Sequence, residues 1–262
     1  MPRTPITQQP VEWREPTGHD DLLLVEGHAD LATAVRVVGQ RADSASGLEA
    51  RDLPVGDIDA LIVDLRARRL GDRLIAEGAC PQCAAPMDVD FSLSAYAEHN
   101  RPRPTGLVRQ DESRPGWWRL QRYDTSFKIP SAGDVLAAGS GPQARAALLE
   151  SCFAGELSTA AVRTAERALD RLAPTLRTTV RGQCPECGAD TDLDVDARGI
   201  ALAELGFLAA SVIDEVHLLA ASYHWTEQAI LDLPSGRRAA YAERVRLTRA
   251  AASALVEEAG IG

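Results

Sequence analysis

Residues 73–91 read RLIAEGACPQCAAPMDVDF, and residues 177–195 read RTTVRGQCPECGADTDLDV. Aligned without a gap, the two stretches share Arg, Gly, Cys, Pro, Cys, Ala, Asp and Asp. In each copy an extended run precedes the Gly-x-Cys-Pro-x-Cys motif, and a run of alternating polar and apolar residues follows it. This pattern predicts a strand, a tight turn and a second strand. The chain is therefore expected to contain the same cysteine-bearing hairpin twice.

Two cysteines three positions apart in such a turn can bind one metal ion through their thiolates. The first copy supplies Cys80 and Cys83, and the second copy supplies Cys184 and Cys187. Four thiolates are the complete tetrahedral ligand set of a structural zinc site. We therefore predict one structural Zn²⁺ per chain, bound by these four cysteines in two zinc-knuckle hairpins.

Three other interpretations of the cysteine pairs remain open. A thioredoxin-type redox pair would place Cys-x-x-Cys at the start of a helix, whereas the alternation after each pair indicates a strand. A catalytic zinc ion would keep one coordination position open and commonly has His or Glu ligands. A hairpin that binds no metal is the third. The fifth cysteine, Cys152, shares an apolar stripe with Leu148 and Leu149 and is predicted to be a free thiol in the core.

The rest of the sequence indicates an α+β protein that is mainly α-helical. A helical insertion is predicted to split the small zinc-ribbon-like element formed by the two Cys-Pro-x-Cys knuckle hairpins, since loop closure entropy grows slowly with loop length. In chain order the predicted segments are a flexible arm (1–21), an N-terminal helical segment (22–72), the first hairpin (73–99), a loop and strand (100–130), the helical insertion (131–176), the second hairpin (177–197) and a C-terminal helical segment (198–262).

Two helix predictions depend on particular residues. Asp57 is expected to cap a helix in the N-terminal segment, because a short carboxylate can accept from the first free backbone N–H groups. Apolar residues at helical spacing predict one helix from Ile200 to Tyr223. Val212, Val216 and Leu219 lie in the middle of its apolar stripe and are expected to be nearly inaccessible to solvent.

Composition and charge exclude several classes of function. Of the 262 residues, 45% are hydrophobic and 25% are charged, which is the balance of a globular protein. The net charge of −10 would repel nucleic-acid phosphates. The sequence has neither an apolar run of about 18 residues nor a signal peptide, so we expect a cytoplasmic protein without membrane or nucleic-acid partners. No set of residues predicts a catalytic site, and we expect no enzyme.

Several motifs follow one another in a defined order. They are LPVGDIDAL (53–61), the first Cys-Pro-x-Cys, FKIPSAGD (127–134), AALLESC (146–152), the second Cys-Pro-x-Cys-Gly and DEVHLLAASYHWTEQAIL (214–231). This order resembles the T-even-type phage baseplate hub assembly chaperone family, in the versions encoded within bacterial phage-tail-like contractile injection system loci. The resemblance spans about residues 22–250. The closing segment, which continues through RRAAY (237–241), is its most specific part.

The resemblance implies a non-enzymatic assembly factor or component of the baseplate hub, located in the bacterial cytoplasm or incorporated in the injection particle. Its partners would be baseplate or hub subunits. The helical insertion and the C-terminal helices are the expected contact surfaces, because Trp225 and Tyr241 are residue types that anchor interfaces. Two alternatives remain open. The Pro-Ser-Gly turn before an Arg-rich helix is compatible with a zinc-stabilised DNA-binding or regulatory protein, and the cysteines are compatible with a thiol or zinc enzyme.

Overall fold

The computed structural model describes residues 3–43 and 47–259 of the chain. Within them the backbone combines helices with antiparallel sheets, so the predicted α+β class is confirmed. The described residues form two compact units. Unit 1 contains residues 3–12 and 29–202, and unit 2 contains residues 13–28 and 203–259. None of the helices in this part of the chain is long and apolar enough to cross a membrane.

The elements follow one another as helices interrupted by short strands. The helices are α1 (Gly18–Glu26), α2 (Leu31–Arg41), α3 (Val55–Leu70), α4 (Leu93–His99), α5 (Ala132–Ala138), α6 (Ala144–Cys152), α7 (Thr159–Leu172), α8 (Ala197–Ala209), α9 (Val212–Tyr223), α10 (Glu227–Leu231) and α11 (Ser235–Ala259). The strands are β1 (Arg73–Ala79), β2 (Pro86–Ser92), β3 (Val108–Gln110), β4 (Trp117–Leu120), β5 (Thr125–Lys128), β6 (Phe153–Gly155), β7 (Arg177–Gln183) and β8 (Asp190–Asp196).

Both cysteine-bearing stretches form a two-stranded antiparallel hairpin in unit 1. β1 pairs with β2, and β7 pairs with β8, over all seven residues of each strand. A helix follows each hairpin in the same way. Leu93 N–H donates to the Asp72 carbonyl at 2.8 Å, and Ala197 N–H donates to the Leu176 carbonyl at 3.0 Å. With α3 before the first hairpin and α7 before the second, the sequence repeat belongs to a repeated helix–hairpin–helix unit.

The chain between the two hairpins contains a sheet as well as helices. β3, β4, β5 and β6 form a four-stranded antiparallel sheet in that order. Phe127 of this sheet is fully buried and belongs to one apolar core with Ala161 and Ala165 of α7. The sequence predicted a loop and one strand in 100–130 and only helices in 131–176. The other strands were missed because they have only three or four residues, too few for a periodic pattern.

Residues 3–12 pack in unit 1, which differs from the flexible arm predicted for 1–21. Ile6 N–H and Thr7 N–H donate to the Asp57 carboxylate at 2.7 and 3.0 Å. The prediction that Asp57 caps α3 is therefore wrong, because α3 already begins two residues before it. The buried carboxylate instead satisfies backbone groups of the N-terminal segment, and nothing in the proline-rich sequence of that segment indicates this contact.

Unit 2 is built from α1, the second half of α8, α9, α10 and α11. Leu219 and Ile230 are fully buried in its apolar core. Arg238 of α11 is also buried and donates to Glu215 of α9 at 2.7 Å and to Asp21 of α1 at 2.6 Å. Since an isolated buried charge is costly, two carboxylates beside one guanidinium make its burial tolerable. This ion network joins three helices of the unit.

The single helix predicted for Ile200–Tyr223 is in fact two helices, α8 and α9. The break falls where Ser211 precedes α9, and its hydroxyl donates to a carboxylate one turn into that helix at 3.0 Å. The apolar spacing continues across the break, so periodicity alone could not reveal it. Of the three expected core residues, Val212 and Leu219 are fully buried, whereas Val216 is half-buried.

Candidate metal centre

The four cysteines of the two hairpins converge at one point of unit 1. Their Sγ atoms all lie within 4.8 Å of one another. Cys80 Sγ lies 3.8 Å from Cys187 Sγ, and Cys83 Sγ lies 3.7 Å from Cys184 Sγ. Four sulfurs bound to one zinc ion at about 2.3 Å in a tetrahedron would be about 3.8 Å apart, and a disulfide would need about 2.05 Å. The four cysteines can therefore bind one metal ion together.

The two cysteines of each motif differ in exposure. Cys80 and Cys184, the first of each pair, are each 2% exposed and pack with the buried Met87. Cys83 and Cys187, the second of each pair, are exposed. The candidate site therefore has an inner side shielded by the hairpins and an outer side at the protein surface.

Both turns have the same backbone hydrogen bonds. In the first turn, Cys80 N–H donates to the Ala85 carbonyl at 2.9 Å, and Ala84 N–H donates to the Cys80 carbonyl at 2.8 Å. The second turn repeats both bonds at Cys184, at 2.9 Å each. Ala84 and Gly188 occupy equivalent positions with positive φ angles of 57° and 71°. Glycine adopts this conformation readily, whereas it costs alanine about 1–2 kcal/mol, so the first turn is the more strained one.

The turn backbone and the crowding of the thiols shift two pKa values in opposite directions. The backbone N–H groups of Cys83 and Gln82 point at the Cys80 sulfur and lower the pKa of Cys80 to about 7. The Ala85 N–H lowers the pKa of Cys83, but desolvation and the three neighbouring thiols outweigh it and raise that pKa to about 12. One thiolate thus forms readily while further negative charge is disfavoured. A bound cation would relieve this repulsion, because metal binding releases thiol protons.

Contacts away from the sulfurs also join the two hairpins. A Cβ atom at Gly78 of β1 would collide with the Leu193 side chain of β8, so glycine allows the second hairpin to lie close to the first. Tyr96, on the helix that follows the first hairpin, has its hydroxyl 2.9 Å from the Thr178 hydroxyl of β7. The hairpins therefore meet both at their cysteine-bearing turns and near their bases.

Asp59 of α3 supports the base of the second hairpin, a role that the sequence did not predict. Its carboxylate accepts from Leu176 N–H just before β7 at 3.0 Å and from Arg198 just after β8 at 2.8 Å. Burial raises the pKa of Asp59, although the Arg198 charge lowers it. The only sequence signal is an acidic residue within an apolar helix stripe. One buried carboxylate thus fixes both ends of the hairpin that carries Cys184 and Cys187.

The structure brings together all four predicted ligands and leaves Cys152 outside the group. Cys152 is fully buried at the end of α6 and free, as predicted, and burial raises the pKa of its thiol. Within the described residues, these four cysteines are the one group of His, Cys, Asp or Glu side chains with ligand atoms close enough to share a metal ion. No family model matches the chain, and no curated protein or solved structure is significantly similar to it.

Proposed function

We propose that Cys80, Cys83, Cys184 and Cys187 bind one structural zinc ion, and that their turns are the two knuckles of a zinc-ribbon-like element. The sulfur spacing supports this proposal, since it suits tetrahedral coordination. The donor set supports it too, because four thiolates leave no position for a reactive water molecule. The pairs are followed by strands rather than helices, which disfavours a thioredoxin-type redox function.

We further propose that the protein is a non-enzymatic assembly factor or component of the baseplate hub of a phage-tail-like contractile injection system. The observation that carries this proposal lies in residues 214–241, the segment with the most specific resemblance. There Tyr223, Trp225 and Tyr241 each remain more than a third exposed. Burial would stabilise rings of this size, so their exposure favours a surface that a partner protein covers.

Helix α11 gives little support to the DNA-binding alternative. Arg238 is buried between two carboxylates, and Arg246 and Arg249 have polar partners on α11 and α9. Among the five arginines of the helix, this leaves Arg237 and Arg244 available for phosphates. DNA-binding proteins that make about six to ten phosphate contacts depend on many more basic side chains. The hub assembly function is therefore the one we retain.

Deletion of the gene in its host, followed by electron microscopy of lysates, tests the assembly function. We expect free tubes or no particles, with normal particles restored by the wild-type gene and by the matched control Cys152→Ser. Cys184→Ser should fail to restore them, because it removes one of the four ligands. Intact, sheathed and baseplate-capped particles in normal number after deletion would contradict the proposal.

Mass spectrometry of purified particles distinguishes the two forms of the proposal. A structural component of the hub would be present in a fixed ratio to the other baseplate subunits. An assembly factor that leaves the particle would be absent from it, although deletion of its gene still prevents assembly.

A further inference from the structure

Unit 2 presents a surface that combines three aromatic rings with two arginines: Tyr223, Trp225, Tyr241, Arg237 and Arg244. We propose that this aromatic–arginine surface binds an acidic segment of a partner protein that also carries an apolar anchor residue. The proposal names the chemical class of partner for the function proposed above and rests on that function for where the partner comes from.

The three rings are already assembled in the protein. The Tyr223 and Trp225 rings are stacked with their centroids 4.9 Å apart, and the Tyr241 ring meets the Trp225 ring edge-on at 5.5 Å. His224 between the first two has a positive φ of 57°, which ends α9 and turns the chain. This left-handed conformation is common for the residue that ends a helix, so the turn between the two rings is part of the regular end of α9. A partner would therefore meet a preformed aromatic surface and would not have to order it.

The two arginines lie on the same face of α11 as Tyr241. Arg237 precedes Tyr241 by four residues and Arg244 follows it by three, and side chains at these spacings are neighbours on a helix. Both arginines are exposed, and neither has an ion pair or side-chain hydrogen bond in the part of the chain that the structure describes. The acidic neighbour Glu243 lies 3.6 Å from Arg246, and helical spacing places both residues on other sides of α11 than Tyr241. Two exposed arginines, neither with an ion pair among the described residues, thus lie about one helical turn before and one turn after Tyr241.

This combination selects the chemistry of the partner. Tyrosine, tryptophan and arginine are the residues that contribute most to protein-binding hot spots. The guanidinium fork suits a carboxylate, and an aromatic group suits an apolar side chain placed between two carboxylates. Seven residues along a helix separate Arg237 and Arg244 by about 10 Å. A segment in the polyproline II conformation has about three residues per turn and rises about 3.1 Å per residue, so side chains three positions apart lie on one side about 9 Å from each other. The expected partner therefore carries two acidic residues three positions apart with the apolar residue between them.

A peptide-binding experiment on the full-length protein tests the proposal. The probe is a fluorescein-labelled, 12-residue peptide with two glutamates three positions apart and a leucine between them. Its binding is measured by fluorescence anisotropy. Two further peptides replace the glutamates with lysine or the leucine with serine. We expect the acidic peptide to bind at least tenfold more tightly than either, and added salt to weaken the binding because the interaction is between exposed charges.

Two variants locate the binding. One is the double variant Arg237→Glu/Arg244→Glu, and the other is the single variant Trp225→Ala. Each should weaken binding of the acidic peptide at least tenfold. The matched control reverses two exposed arginines of unit 1, Arg109→Glu with Arg163→Glu, and should bind as the wild type does. Circular dichroism of every variant shows whether its fold is retained, so that a loss of binding can be assigned to the surface.

Several results would overturn the proposal. They are equal binding of the acidic and lysine peptides, no binding at all, or unchanged binding in the Arg237→Glu/Arg244→Glu variant. Tighter binding of a single-stranded oligonucleotide would assign the surface to nucleic acid. If the wild type sediments as a dimer and the Trp225→Ala variant as a monomer, the surface would be assigned to a second copy of the chain. Peptide binding together with normal particles after gene deletion would instead refute the hub function and leave the surface proposal standing.

Discussion

Cys184 supplies one of the four sulfur atoms of the candidate site, and its thiol is almost completely buried. Replacing it with serine removes a thiolate ligand and leaves a three-sulfur site. We expect Cys184→Ser to purify with far less than one equivalent of zinc, whereas the wild type carries about one. Structural zinc contributes about 10–16 kcal/mol of apparent binding free energy in small peptides, so the thermal stability should also fall. Elemental analysis and thermal unfolding measure the two effects.

The control for this prediction is Cys152→Ser, which also removes a buried thiol but one outside the four-cysteine group. It should keep a full equivalent of zinc. A wild-type protein that contains well below one equivalent after purification under reducing conditions would contradict the metal assignment. So would a Cys184→Ser protein with undiminished metal content.

Asp111 provides a second prediction at the scale of one residue. Its carboxylate accepts from the hydroxyls of Ser113 at 2.6 Å and Ser126 at 2.7 Å, and these bonds lower its pKa to about 2. The folded-state pKa lies below the ordinary value of 3.8. The carboxylate therefore contributes stability above the ordinary pKa, and this contribution is lost as the pH falls from 3.8 through about 2.

Asp111→Asn should be less stable than the wild type at neutral pH, and the difference should shrink as the pH falls through this range. Urea unfolding at a series of pH values measures it. Any metal bound by the four thiolates would be lost equally from both proteins in acid, so the difference between them isolates the carboxylate. A stability difference that stays constant down to the lowest pH would show that the hydroxyl contacts do not favour the charged form.

At the scale of one element, α9 allows a matched pair of substitutions. Leu219 is fully buried in the core of unit 2, whereas Ile213 on the same helix is 57% exposed. Leu219→Ala should lower the free energy of unfolding by about 2–5 kcal/mol, because it leaves a cavity. Ile213→Ala should change it by only about 0.5 kcal/mol. Equal unfolding midpoints for the two variants would mean that Leu219 does not lie in a packed core.

The elements differ in how far the sequence could predict them. The hairpins were predictable because the cysteine spacing, the turn and the alternating strand lie within one short stretch. The contacts of Asp57 with residues 3–12, and of Asp59 with Arg198, join residues far apart in the chain and have no local pattern. The break between α8 and α9 preserves the apolar spacing and is invisible to periodicity. Local signals therefore identified the candidate ligands, whereas the contacts that hold the hairpins in place could be found only in the three-dimensional structure.

At the scale of the whole molecule, metal removal should affect the two units unequally. All four candidate ligands belong to unit 1, and the core of unit 2 rests on apolar contacts and the Arg238 ion network. A strong chelator should therefore speed hydrogen exchange in β1, β2, β7 and β8 and leave α9 and α11 largely protected. Exchange followed by mass spectrometry measures this. Equal loss of protection in both units would show that the whole fold depends on the metal.

The distance in sequence between the two cysteine pairs has a consequence for a cleaved chain. Residues 101–106 form a largely exposed stretch without helix or strand, and they lie between Cys83 and Cys184. A cut there would produce two polypeptides, each with one hairpin and half of the coordination shell. The two fragments should stay joined through unit 2, where Arg238 of the second fragment binds Asp21 of the first, while the two hairpins should come together only when zinc is present. A cleaved chain would thus remain one assembly, in which the pairing of the two hairpins reports the zinc level of its surroundings.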